Sequence, residues 1–202
     1  MESIFITFEG LDGCGKTTQA RLLKEFLERK NYKIYLTREP GGTILGENIR
    51  NILLNSDISI HPWTEALLYL SSRVENSLVI KEKLKEKYIV ICERYIDSTL
   101  AYQGYGRGLP INKLKKLNEL VTFGLNPDVT ILLDISPEKI FQRKESLDRI
   151  EKENLNFYHK VREGYLKIAK ENKSRIFVIS GELLIEEIHH IILKIILKKL
   201  KR

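Results

Sequence analysis

Short apolar runs alternate with stretches of helical periodicity from one end of this chain to the other. The runs at 3–8, 33–37, 88–92, 128–134 and 175–180 are rich in Ile, Val, Leu and Phe and are continuously apolar, without a polar alternation. A strand covered on both faces reads this way. Between them, apolar residues recur at helix spacing over about 16–30, 44–55, 62–86, 111–123, 136–145, 151–172 and 182–200. The order predicts an α/β fold, a parallel sheet with helices on both faces. In such a sheet the ligand site lies beyond the carboxyl ends of the strands. The loops after the first four strands, at 10–17, 38–43, 93–95 and 134–137, are therefore expected to meet at one rim.

The first of these loops carries the sharpest motif. Residues 10–17 read Gly-Leu-Asp-Gly-Cys-Gly-Lys-Thr, a full G-x-x-x-x-G-K-[ST] between a predicted strand and a predicted helix. Gly10, Gly13 and Gly15 allow backbone amides to curl around phosphate oxygens, with Leu11, Asp12, Cys14 and Thr18 completing the loop. Lys16 supplies a point charge for the β- and γ-phosphates, and Thr17 a hydroxyl ligand for Mg²⁺. The positive end of the following helix faces the same anion. The expected ligand is a nucleoside triphosphate.

The 202 residues suit one domain, expected to span 1–202. No stretch is apolar over the length of a membrane span, and the N-terminus shows a strand where a signal peptide would need its own pattern. Cys14 and Cys92 are the only cysteines. One lies in the phosphate loop and one at a strand end, so free thiols and a cytoplasmic setting are expected. The net charge of +7 raises the question of nucleic acid. Yet Lys194, Lys198, Lys199, Lys201 and Arg202 carry five of those charges within the last nine residues, which hold no acid. The remainder is +2, and basic residues at a helix end complement its dipole. Neither nucleic acid nor membrane is expected as a partner.

Arginines recur along the predicted rim. Arg38 opens a Pro- and Gly-bearing loop, Arg50 lies on the next helix, Arg94 closes the third strand, and Arg143 and Arg149 flank a polar stretch. Guanidinium forks match phosphate oxygens, so the group together predicts a second anionic ligand, although any one of them alone reads as readily as a surface ion pair. On the helix from Pro62, Trp63, Leu67, Leu70, Val74 and Leu78 form the expected apolar stripe. Tyr69 and Arg73 fall one turn apart on an adjoining face. They suit a planar base as well as they suit a core aromatic with a capping arginine. The segment 93–109 is dense in hydroxyls, an amide and glycines, a loop chemistry that binds ligands. Ser98, Thr99, Tyr102 and Gln103 are its candidates for a sugar or base.

Taken in order, these pieces resemble the bacterial thymidylate kinases over essentially the full chain. The resemblance is carried by Phe8–Gln19, Thr37–Thr43, Gly46–Arg50, Glu65–Tyr69 with Arg73, Arg94–Gly104, Pro127–Thr130 and Asp148–Glu151. It implies a P-loop NTPase fold on a five-stranded parallel sheet, ATP and dTMP as substrates, Mg²⁺ as cofactor, and a homodimer. Residue by residue it implies that Asp12 meets the sugar 3′-hydroxyl and Tyr69 stacks on thymine. Arg73 bonds to the base edge, and Arg50 and Arg94 hold the acceptor phosphate, Arg94 counting also as catalytic. Tyr102 crowds the sugar 2′-carbon and Gln103 contacts the nucleotide. Glu93 stands where the family usually has Asp and joins Thr17 as a metal candidate. Gly13 stands where some relatives place an arginine. The transferring phosphoryl is then expected to draw on Lys16 and on a lid around 142–150, with Arg149 favoured over Arg143. The alternatives are a P-loop kinase for another small acceptor, and a non-catalytic P-loop module that binds nucleic acid through its basic tail.

Overall fold

The computed structural model describes residues 3–55, 59–141, 149–150 and 153–200. Five strands form one parallel sheet: β1 (Phe5–Gly10), β2 (Ile34–Arg38), β3 (Ile89–Glu93), β4 (Val129–Asp134) and β5 (Ile176–Ser180), in the spatial order β2-β3-β1-β4-β5. The expected α/β fold is therefore found. β1 runs two residues further than its apolar run, to Gly10, because Glu9 and Gly10 pair with Leu132 and Leu133 of β4. Being central, β1 delivers the phosphate loop between the ends of β3 and β4.

Alternation along β1 explains both coverings of the sheet. Ile6 and Phe8 face the larger core, with Leu23 and Leu27 of α1 (Lys16–Arg29) and Ile188, Ile192 and Ile196 of α8 (Ile185–Leu200). Phe5 faces a smaller core with Ile80, Val90 and Tyr95. Thr7 shares that face and meets the Thr130 hydroxyl at 2.7 Å, both side chains fully buried. Glu9 is next on the same face. A wholly buried carboxylate at the end of an apolar strand needs partners, and they belong to the site.

The remaining helices are α2 (Ile44–Leu54), α3 (Pro62–Lys85), α4 (Ile96–Thr99), α5 (Ile111–Thr122), α6 (Pro137–Phe141) and α7 (Leu155–Glu171). Several starts follow from capping chemistry. Thr43 accepts from Gly46 N, Asn154 accepts from Phe157 N, and Pro62 takes the first position of α3. On α8 the buried Ile residues lie on one face, while Lys194 and Lys198 are exposed on the other, as a solvated helix end requires.

Two expectations are corrected. The stretch read as a binding loop at 93–109 is mostly helical: α4 passes directly into a π-helix over Leu100–Gly106. Gly104 and Gly106 within it lie hard against Ile111 and Phe157, where a Cβ would clash. The stripe expected to be the core face of α3 is buried only in part. Leu70 is buried and Trp63 packs against the main core, but Leu67 and Leu78 are about half exposed, whereas Glu65, Ser72, Arg73, Asn76 and Ser77 are buried. Polar residues occupy the inner face because α3 walls the site.

Candidate active site

The phosphate loop runs from the end of β1 into α1. Gly10 has φ 134° and its missing Cβ would lie 2.4 Å from Leu133 O, so the turn depends on glycine there. Gly15, at φ 99°, is the N-cap of α1. Leu11 and Cys14 turn inward and are buried, so only their backbone serves the loop face. Lys16 Nζ donates to Gly10 O at 3.1 Å and to Leu11 O at 2.7 Å, which holds the ammonium across the loop. Around it opens a chamber lined by Gly13, Gly15, Lys16, Thr17, Thr18, Arg21, Arg38 and Glu93 among others. Arg38 is exposed and pairs with Glu47 at 3.1 Å. Both cysteines are free and buried.

Thr17 Oγ1 donates to Glu93 Oε2 at 2.6 Å at the edge of this chamber. Hard oxygen donors of this kind fit Mg²⁺, which is commonly held by one or two protein oxygens plus phosphates. Among the described residues no group of three or more His, Cys, Asp or Glu side chains is placed to hold a metal ion.

A second, smaller chamber adjoins the first. Tyr69 and Arg73 of α3, Ser98 and Thr99 of α4, and Tyr102 and Gln103 of the π-helix line it, with Pro40, Leu54 and Ile150. Asp12, Glu39, Arg50 and Arg94 line both chambers and so mark their junction. The sequence-predicted acceptor residues are thus brought together, apart from Arg38, which lines only the larger chamber.

Arg94 sits at the centre of the junction. Its φ is 66°, left-handed for a non-glycine residue, which costs about 1–2 kcal/mol. Bonds on every side hold it there. Its N–H donates to Phe8 O at 2.9 Å. One guanidinium nitrogen donates to Asp12 Oδ1 at 2.6 Å and to the Tyr102 hydroxyl at 3.2 Å. The other donates to Ser98 Oγ and Tyr165 Oη, both at 3.1 Å. Burial alone would push the Asp12 carboxyl up, but the Arg94 guanidinium and then Lys16 outweigh it and hold Asp12 well below the usual carboxylate range. The Tyr102 hydroxyl donates to Asp12 Oδ2 at 2.9 Å, and its ring lies under Arg94 at 4.9 Å. Glu9 anchors the base of the group. It accepts from Tyr95 N and Tyr165 Oη, both at 2.8 Å, and from Ser98 Oγ. Burial and then nearby Asp97 push its carboxyl up.

Arg73 is 1% exposed and fixed on four sides. Its Nε donates to Glu39 at 2.7 Å, one terminal nitrogen to Thr99 Oγ1 at 2.6 Å and Asn118 Oδ1 at 2.7 Å, and the other to Tyr95 O at 2.9 Å. Four of its five N–H groups are used, so the fork has one left for the chamber. Arg50 donates to Pro40 O at 3.0 Å. Tyr69 is half-buried, and its hydroxyl is pushed up by burial and then by Glu65.

The expectation that Arg149 closes over the phosphates is not met. Its Nε donates to Leu53 O at 2.7 Å and a terminal nitrogen to Glu65 at 2.8 Å, and it lines neither chamber. A buried carboxylate with unfilled acceptor sites captures the guanidinium at the end of α2. Arg143 and most of the expected lid, 142–148, lie outside the described residues.

Sequence reasoning missed Glu9, Glu39, Glu65 and Tyr165. Tyr165 shows no local pattern that distinguishes it from a helix core. Glu9, Glu39 and Glu65 stand inside segments already singled out, and an acid there offered a signal that was not used.

A family model described as thymidylate kinase matches residues 8–192. A thymidylate kinase of Thermoanaerobacter sp. (strain X514) is 46% identical over 206 residues, covering 99% of this chain and 100% of the relative. One from Kosmotoga olearia is 44% identical over 203 residues, covering 98% of each. A crystal structure of thymidylate kinase from Ehrlichia chaffeensis superposes with a TM-score of 0.82 at 40% identity, over 97% of this chain and 99% of that one.

Proposed function

The chain belongs to the thymidylate kinase family and carries out the ATP-dependent phosphorylation of dTMP to dTDP; we propose that its two chambers divide the two substrates. ATP lies in the larger chamber, with its phosphates on the loop 10–18 and Lys16. The dTMP lies in the smaller one, its base against Tyr69 between Arg73 and Gln103 and its sugar beside Asp12. The observation that carries this reading is the junction, where Arg50 and Arg94 line both chambers at once. An acceptor phosphate held there has an oxygen facing the γ-phosphorus. The new P–O bond forms as the β–γ bridge breaks and ADP departs.

The roles follow from the contacts. Arg94, whose four terminal N–H groups are held by Asp12, Tyr102, Ser98 and Tyr165, keeps its Nε–H and its positive charge for the acceptor phosphate while negative charge spreads over the transferring group. Tyr102, locked by Asp12 and packed edge-on against Phe157 and Tyr165 at 6.2 Å each, stands rigidly beside the sugar and leaves no room for a 2′-hydroxyl. Thr17 and Glu93 hold Mg²⁺, which neutralises phosphate charge when bound. Release of ADP should require ATP and dTMP together. Release at the same rate without acceptor would oppose the reading.

Arg149 is placed here as a structural support of the smaller chamber, and the residue that caps the transferring phosphoryl is sought at Arg143 or Lys144. Arg149→Ala is expected to raise the KM for dTMP and lower the melting temperature, with kcat changed by only a few-fold. Steady-state kinetics check this. A loss of about 10²-fold or more in kcat alone would restore the arginine-finger role.

The chain is further proposed to act as one domain in the cytoplasm and as a homodimer, with no nucleic acid as partner. Among the described residues no helix is long and apolar enough to cross a membrane. The dimer reading rests on the apolar stripe of α3, whose Leu67 and Leu78 are about half exposed, together with exposed Ile44 and Ile52 on α2, which packs against it. Apolar residues exposed along one helix face suit a subunit interface. Sedimentation should give the mass of two chains, and Leu67→Glu with Leu78→Glu the mass of one. A wild-type monomer would contradict it.

A further inference from the structure

Glu65 lies in the first turn of α3, a position where an acid normally caps a helix in solvent, yet it is 1% exposed. Its oxygens receive four N–H groups. Oε1 accepts from Gln103 Nε2 at 2.9 Å and Arg107 Nε at 3.2 Å; Oε2 accepts from Arg107 at 3.1 Å and Arg149 at 2.8 Å. Two guanidinium groups on one carboxylate keep it ionised, and an ionised carboxylate only accepts. The end of the Gln103 amide that faces Glu65 must therefore be its NH₂. The opposite orientation would set two oxygens against each other in a buried site. Gln103 lines the smaller chamber, and its Oε1 is the end left to face it.

We propose that Glu65 is a positioning residue for base selection: it fixes the polarity of the Gln103 amide, so that the chamber presents a hydrogen-bond acceptor to the ring. Thymine carries a ring N–H between its two carbonyls and is matched. Cytosine carries a bare ring nitrogen there, and two acceptors would confront each other. The selection against cytosine then originates in a carboxylate that need not touch the nucleotide. Lost or mismatched hydrogen bonds in a buried site discriminate strongly, because the unpaired group stays desolvated. The inference rests on the proposed placement of the acceptor base beside Gln103.

The test is kcat/KM for dTMP and dCMP in the full-length enzyme, in Glu65→Gln, Glu65→Asp, Gln103→Leu and the double variant Glu65→Gln/Gln103→Leu. A neutral amide at 65 both donates and accepts, so Gln103 is free to turn over. Glu65→Gln should lower the dTMP:dCMP ratio by about ten-fold or more, acting through KM more than kcat. Glu65→Asp, which retains the charge, should keep most of the ratio. Gln103→Leu should lower the ratio as well, and Glu65→Gln should add nothing to it in that background. An unchanged ratio in Glu65→Gln, with Gln103→Leu still lowering it, overturns the positioning role alone. An unchanged ratio in Gln103→Leu overturns the placement of the base and the inference with it. If Glu65→Gln does not fold, the side-chain amide of Gln103 in the wild type carries the test. Slow proton exchange at that NH₂ in nitrogen-15 spectra supports the bond to Glu65, and exchange at the rate of a free amide overturns it.

Discussion

Lys16→Met is expected to lower kcat by about 10²–10³-fold or more while leaving the fold intact. Removing one fixed electrostatic donor from a site of developing charge has effects of this size. The transferring phosphoryl group gains no covalent partner from the protein, so positioned charge is its main means of catalysis. Methionine keeps the length and the apolar stem of lysine but lacks the ammonium that now bridges Gly10 O and Leu11 O. Those bonds are buried, although Lys16 lines the larger chamber, so water entering from that side replaces the lost donor only in part. The fold should therefore persist with a modest fall in melting temperature while turnover collapses. A Lys16→Met enzyme with near-normal kcat would show that the loop binds phosphate without contributing to transfer.

Arg94→Met is expected to damage both catalysis and stability. Its guanidinium is the joint of the two chambers and answers the charge of Asp12 at 2.6 Å. Breaking a buried charge pair costs about 3–5 kcal/mol. Asp12 is 30% exposed on its side chain, which puts the cost here at or below the lower end of that range. Loss of Arg94 also frees the Tyr165 and Ser98 hydroxyls around buried Glu9. The catalytic loss should again be about 10²–10³-fold in kcat, with a rise in the KM for dTMP. Arg94→Lys separates the two effects. It keeps a positive charge near Asp12 and should recover much of the stability, but one ammonium cannot bond two sides of the junction and a phosphate as a fork does. Equal kcat for Arg94→Lys and wild type would mean that charge alone, not fork geometry, serves the reaction.

The parts of the site written as one contiguous segment were legible in the sequence. The loop 10–18 needs only glycines, a lysine and a threonine in fixed order between a strand and a helix, and the structure places them so. Tyr69 and Arg73 were found by helical spacing, since residues four apart share a face. The same spacing gave only part of the buried face, since Leu70 is buried but Leu67 and Leu78 are about half exposed. Periodicity counts apolar residues, and α3 turns its polar side inward because Glu39, Thr99 and Asn118 meet Arg73 there. The segment after β3 was recognised as ligand-binding from its composition, but its π-helix was not, because its glycines pack against Ile111 and Phe157, which lie outside it. Arg149 was misplaced for a related reason. Closeness to the lid in sequence says nothing about where a guanidinium points, and Glu65, 84 residues away, decides it. Glu9 was passed over because its partners come from Tyr95, Ser98 and Tyr165, brought together only by the sheet.

The central claim is that the smaller chamber accepts a deoxythymidine monophosphate and offers its phosphate to ATP across the Arg50–Arg94 junction. Initial rates of ATP-dependent phosphorylation across dTMP, dCMP, dGMP and the ribo counterpart of dTMP, each with Mg²⁺ present, test it most directly. The account predicts that dTMP is phosphorylated far faster than every other acceptor, with the ribo compound disfavoured by Tyr102. Comparable rates on dCMP or dGMP would contradict it, and would leave the fold with a phosphate loop and an acceptor chamber that does not read the base.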